Sequence, residues 1–162
     1  MPAREVILYP DPALREVSKE VAYFDKTLAR EIDDLVDTLR ASHGVAIAAP
    51  QVGIIKRVIA LDITARNTKE TGHGLLVLVN PVISESSQNK TVREGCLSIP
   101  DYLANVKRAK KVTVDALNQS GKAVTVHARG LEAVALQHEI DHLDGILFFD
   151  RVTSVRDLLR RG

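Results

Sequence analysis

The stretch Gly130-Leu131-Glu132-Ala133-Val134-Ala135-Leu136-Gln137-His138-Glu139-Ile140-Asp141-His142-Leu143-Asp144-Gly145 holds two histidines four residues apart, with a glutamate directly after the first. On a helix, positions i and i+4 share a face, so both imidazoles can reach one metal ion and Glu139 stands beside them as a general base. Leu131, Val134 and Ala135 precede His138 on that same face, and Gly130 and Gly145 bound the segment. A mostly apolar helix of this kind is expected to be buried and to carry metal-assisted hydrolysis. Two buried, hydrogen-bonded histidines without a metal fit the same spacing.

Catalytic zinc and similar ions usually take three protein ligands and keep a fourth position open for water, so two histidines leave the set one short. In the metzincin pattern a third His follows the Gly; here Gly145 is present but Phe148 stands at the ligand position. A gluzincin needs a downstream Glu, and none follows Glu139. The third ligand is therefore expected upstream. The only cysteine, Cys96, sits in Glu94-Gly95-Cys96-Leu97-Ser98-Ile99-Pro100 and has no partner for an intramolecular disulfide. It is a small buried hydrophobe, a nucleophile or a metal ligand. As a ligand it completes a Cys-His-His set with one open position, and thiolate plus imidazole suits Zn²⁺, Fe²⁺, Ni²⁺ or Co²⁺. A metallopeptidase of another family and a metal-binding protein without catalysis are the other function classes compatible with these residues.

Three separated blocks, Gly44-Val45-Ala46-Ile47-Ala48-Ala49-Pro50-Gln51, Glu94-Gly95-Cys96-Leu97-Ser98 and Gln137-His138-Glu139-Ile140-Asp141-His142-Leu143, occur in the order and spacing of the peptide deformylases. The chain resembles that family over nearly its whole length, and Tyr9-Pro10-Asp11-Pro12-Ala13-Leu14-Arg15 is similar to the family's usual opening. The resemblance implies a metal-dependent hydrolase that removes the N-formyl group from the N-terminal formylmethionine of newly made polypeptides, releasing formate. It implies an ion held by Cys96, His138 and His142, Fe²⁺ in the cell with Zn²⁺, Ni²⁺ or Co²⁺ possible as purified, and Glu139 as the base. The Gln51 side chain and the Leu97 backbone N–H would stabilise the carbonyl oxygen. Gly44, Val45, Ala46, Gly95, Leu131, Val134 and Ala135 would bind substrate, with Val45, Leu131, Val134 and Ala135 forming the pocket for the methionine side chain.

Ala46 departs from the family pattern, which has Gly there. Either its methyl is tolerated because the local φ is negative, or it narrows the cleft. His43, His73 and His127 lie outside the matched blocks and are expected at the surface or in the core.

A length of 162 residues suits one catalytic domain over 1–162. A net charge of +1 gives no strong pull toward nucleic acid or membrane. There is no long apolar run, and Met1-Pro2-Ala3-Arg4-Glu5 does not open a signal peptide, so the expected location is the cytoplasm, or an organelle after loss of an import segment. Either compartment suits a reduced Cys96. The expected partners are N-formylmethionyl nascent peptides, with at most a weak ribosome contact.

Asp25 is placed to N-cap a helix with Leu28, Ile32, Leu35, Val36 and Leu39 on one face, ending near Gly44. Val58–Leu61 and Leu75–Val79 are predicted strands separated by an Asn67–Gly72 loop, and Val112–Val114 and Val124–Val126 flank Asn118-Gln119-Ser120-Gly121 as a hairpin. Ser154–Arg161, with Val155, Leu158 and Leu159 among Arg156, Arg160 and Arg161, is predicted as a short solvated closing helix rather than a dedicated ribosomal RNA contact. The fold class is α+β, with mostly antiparallel β-sheets around a central buried helix that carries the metal motif.

Overall fold

The computed structural model describes residues 3–65 and 70–161, so Asn67, Thr68 and Lys69 of the predicted loop lie outside the described residues. Helix α1, Lys26–Ala41, starts where Asp25 Oδ1 accepts the Leu28 N–H at 2.9 Å. Its last turn closes on Ser42, whose N–H returns to the Leu39 carbonyl, two residues short of Gly44. Leu28, Ile32, Leu35 and Leu39 are buried against Ile47, Val58 and Val79, while Val36 is only half-buried at the edge of that cluster.

Five strands run antiparallel in chain order: β1 (Ala46–Ala48), β2 (Val58–Leu61), β3 (Leu76–Cys96), β4 (Ile99–Leu117) and β5 (Ala123–Arg129). β3 and β4 form one long hairpin whose register shifts between Val79 and Val82, Ile83 and Glu85, and Glu94 and Cys96. Such irregularities bend and twist a ladder. The predicted hairpin is the β4–β5 turn, where the Gly121 N–H returns to the Asn118 carbonyl at 3.0 Å and Gly121 takes φ +82°.

Helix α2, Gly130–Leu143, carries the two histidines and contacts β1, β2, β4 and β5. Nearly every residue from Glu132 to Leu143 is buried, Gln137 alone being half-buried. Leu136 and Ile140 join Ile59, Leu61, Val114 and Val126 in the core between helix and sheet. Asp144 ends the helix, and Gly145 follows at φ +73°, where a Cβ would stand 2.5 Å from the Arg15 carbonyl oxygen. A third cluster, with Leu14, Ile99, Val106, Leu147 and Phe148, packs behind the Cys96 end of the hairpin.

The closing segment differs from its predicted helix. Val155–Asp157 make a short 3₁₀ turn, and Leu158–Arg160 form β6, paired antiparallel with Tyr102–Ala104 of β4. The i, i+3, i+4 spacing of Val155, Leu158 and Leu159 looks helical, but so short a segment cannot pay for helix nucleation, whereas β4 supplies a ready ladder. Among the described residues no helix is long and apolar enough to cross a membrane.

Candidate metal centre and active-site cleft

Cys96 is the last residue of β3 and pairs with Ile99 across the turn at Leu97 and Ser98, next to the Glu94/Cys96 register shift. The tight turn directs its side chain toward α2. Ligand atoms of Cys96, His138 and His142 all lie within 4.8 Å of one another, with Cys96 Sγ 3.3 Å from His142 Nε2. His138 Nδ1 meets Glu94 Oε1 at 2.8 Å, which leaves Nε2 for an ion. Glu139 Oε2 is 3.9 Å from His138 Nε2, and Glu139 Oε1 is buried without a hydrogen-bond partner among the described residues. One thiolate, two imidazoles and an uncommitted carboxylate oxygen beside them fit a divalent transition ion with room for water.

The donors sit in a cleft of about 540 Å³. Gly44, Val45, Ala46, Gln51, Gly95, Cys96, Leu97, Leu131, Val134, Ala135, His138 and Glu139 all line it, and His142 lies buried behind them. Gln51 stands in the 3₁₀ turn Ala49–Val52; its Oε1 accepts the Ala48 N–H at 2.9 Å, and its Nε2 points toward Ser98 Oγ at 3.0 Å and Cys96 Sγ at 3.7 Å. Gly44 has no spare room, because a Cβ there would stand 3.0 Å from Leu97 Cδ1. Ala46 takes no positive φ in strand β1, at the edge of the sheet, so its methyl costs the backbone nothing.

A family model described as polypeptide deformylase matches residues 3–157. The chain belongs to the polypeptide deformylase family. A peptide deformylase of Acetivibrio thermocellus is 48% identical over 91% of this chain and 82% of its own length. The crystal structure of a peptide deformylase from Legionella pneumophila superposes with a TM-score of 0.87 at 41% identity, covering 96% of this chain and 89% of the other. That of a peptide deformylase from Synechococcus elongatus in complex with actinonin gives 0.87 at 35% identity, covering 97% and 82%.

Behind the deformylase cleft lies a charged chain that sequence reasoning missed. Arg108 donates to both oxygens of Glu94 and, at 2.8 Å, to Asp141 Oδ2; Arg151 grips Asp141 from the other side at 2.6 and 2.9 Å. Burial pushes the Glu94 carboxyl up, but hydrogen bonds from His138 and Arg108 outweigh it and hold the group below its ordinary value. An ionised Glu94 fixes the tautomer and orientation of His138. Glu94 stands two residues before Cys96 and Asp141 directly before His142, which was the available signal; Arg108 and Arg151 carried none. His43 is exposed, as expected, and lines the cleft together with Arg93, Pro100 and Arg161, which carried no signal in the sequence. His73 and His127 stay outside it, His73 on Glu132 at 2.6 Å and His127 beside Thr113.

Burial raises the Glu139 carboxyl from 4.5 to about 7, despite the opposing pull of His138 and Arg108. Burial also lowers His142 well below its ordinary value, reinforced by His138 and Arg108, so this imidazole is neutral and ready to ligate. For His138 burial acts downward too, but Glu139, Cys96 and Glu94 together hold it well above its ordinary value. A cation among the three donors opposes that protonation.

Proposed function

We propose that the whole chain acts as one catalytic domain that hydrolyses the formyl amide of N-formylmethionyl nascent polypeptides, giving formate and a free α-amine. The observation that carries this is the convergence of Cys96, His138 and His142 within 4.8 Å, beside a buried Glu139, at the wall of an apolar-sided cleft. Cys96 Sγ, His138 Nε2 and His142 Nε2 would hold one divalent ion, Fe²⁺ in the cell and Zn²⁺, Ni²⁺ or Co²⁺ in purified protein. When bound, such an ion acidifies water from a pKa of about 16 toward about 7 and polarises a carbonyl.

Glu139 takes the proton of the attacking water on a carboxylate oxygen and returns it to the leaving amine nitrogen. Burial holds this carboxyl at about 7 in the ion-free chain, and a cation beside it would favour the ionised form that a base for water needs. As the formyl carbon becomes tetrahedral, its oxygen gains charge, and the Gln51 amide and Leu97 N–H stabilise that charge more than they stabilise the ground state. Val45, Leu131, Val134 and Ala135 take the methionine side chain, and Gly44–Ala46, leading into the edge strand β1, with Gly95 in the same lining, align the peptide backbone. The enzyme works in the cytoplasm or in an organelle, with no more than a weak ribosome contact.

A formate-release assay on formyl-Met-Ala-Ser tests this. Formate is expected with the formylated peptide, and internal cleavage of the unformylated peptide is not; the reverse pattern would instead assign a peptidase.

A further inference from the structure

The ligands and apolar wall leave His43, Arg93, Pro100 and Arg161 of the cleft lining without a role. Arg161 reaches the cleft because β6 pairs with Tyr102–Ala104 and the Arg161 N–H then donates to the Asp101 carbonyl at 2.8 Å. Its guanidinium lies over Gly95, where a Cβ would stand 3.0 Å from Arg161 Nη2. Leu103 Cδ2 closes the same space at 2.9 Å, so Gly95 lies beneath both side chains and the guanidinium sits one residue from Cys96. Arg93, two residues before Gly95, lines the same cleft, and its side chain donates to Asn105 Oδ1 at 3.3 Å.

Among the described residues neither guanidinium has a carboxylate partner. Of the carboxylates in the cleft, Glu94 is bonded to Arg108 and His138, and Glu139 lies buried beside His138. Asp101 touches Arg161 only through its main chain. Two uncompensated cations on a concave wall attract anions to it. With the methionine side chain on the apolar wall and the formyl carbon at the donors, the peptide beyond methionine leaves along this remaining lining.

We propose that Arg161, together with Arg93, sets substrate preference by favouring Asp or Glu in the two residues that follow formylmethionine and disfavouring Lys or Arg there. This rests on the deformylase reading above. The test measures kcat/KM for formyl-Met-Ala-Ser, formyl-Met-Glu-Glu and formyl-Met-Lys-Lys amides with the metallated enzyme at low and high salt. The expected acidic-to-basic ratio is about three- to tenfold at low salt, because pairs made by exposed side chains are each weak, and it shrinks as salt screens them. Arg161→Ala should lower the ratio and Arg161→Glu should invert it, while Arg161→Lys should keep its sign.

A wild-type ratio of one, or a ratio unmoved by Arg161→Glu, overturns the assignment even as formyl-Met-Ala-Ser is hydrolysed. No formate from any of the three peptides overturns the deformylase reading and this one with it.

Discussion

Glu139 shows at one residue how a site can cost stability. Burial keeps its carboxyl at about 7, whereas an exposed glutamate titrates near 4.5. Between those values the unfolded chain ionises while the folded chain keeps its proton, so stability falls as pH rises through that window and levels off above it. In metal-stripped protein, Glu139→Gln is therefore expected to raise Tm relative to wild type by an amount that grows between about pH 4.5 and about pH 7 and is flat beyond. A gain that does not vary with pH would contradict the buried titration. In metallated protein the same change should leave one ion per chain and cut turnover by a factor on the order of 10² or more. Loss of the ion on metal analysis would remove Glu139 from the role of base.

Glu94 acts one bond further away, through His138. With Glu94→Gln the acceptor for His138 Nδ1 weakens and Arg108 loses a charge partner, so metal affinity should drop roughly 10- to 100-fold in a chelator competition. An unchanged affinity would mean that the ring is held by packing alone.

At the scale of elements, α2 does two jobs: one side presents His138, Glu139 and His142, and the rest fills the core. Leu136 is fully buried, two residues before His138, and packs with Ile59, Leu61 and Val114. Leu136→Ala should cost about 2–5 kcal/mol, seen in calorimetry as roughly 2–4 °C of Tm per kcal/mol. A loss under 1 kcal/mol would mean that the helix is not packed as described. Both helices were legible in the sequence, α1 from its apolar period and its Asp25 cap, α2 from the run that carries the histidines. The hairpin's length was not, since Ser84 to Lys90 are exposed on both faces and give no alternation to read. β6 was hidden by helix-like spacing in a segment whose partner strand lies far away in sequence.

The same distance rule governs the site. His138 and His142 were legible from their i, i+4 spacing, and Cys96 from being the only cysteine, in a block that resembles the family's. The Glu94–Arg108–Asp141–Arg151 chain was not, because its links join residues 14, 33 and 10 positions apart with no periodic signal. Glu94 comes from β3, Arg108 from β4, Asp141 from α2 and Arg151 from the 3₁₀ turn Phe148–Arg151, so only the folded chain sets these charges side by side.

For the molecule as a whole, the fold gathers three blocks, the edge at β1, the turn after β3 and the face of α2, around one point. Arg57 ties this frame together, donating to the Leu143 carbonyl at 3.0 Å and pairing with Asp144 at 3.0 Å, so that the start of β2 holds the C-terminal end of α2. If that convergence is a metal centre built for deformylation, activity and ion occupancy must rise together. The decisive measurement is formate release from formyl-Met-Ala-Ser during anaerobic titration of stripped protein with Fe²⁺, with bound ion counted in the same samples. Formate release should climb linearly and break at one ion per chain, with Cys96→Ala, His138→Ala and His142→Ala each abolishing the climb. Release of formate without ion, or one bound ion per chain without formate, would contradict it.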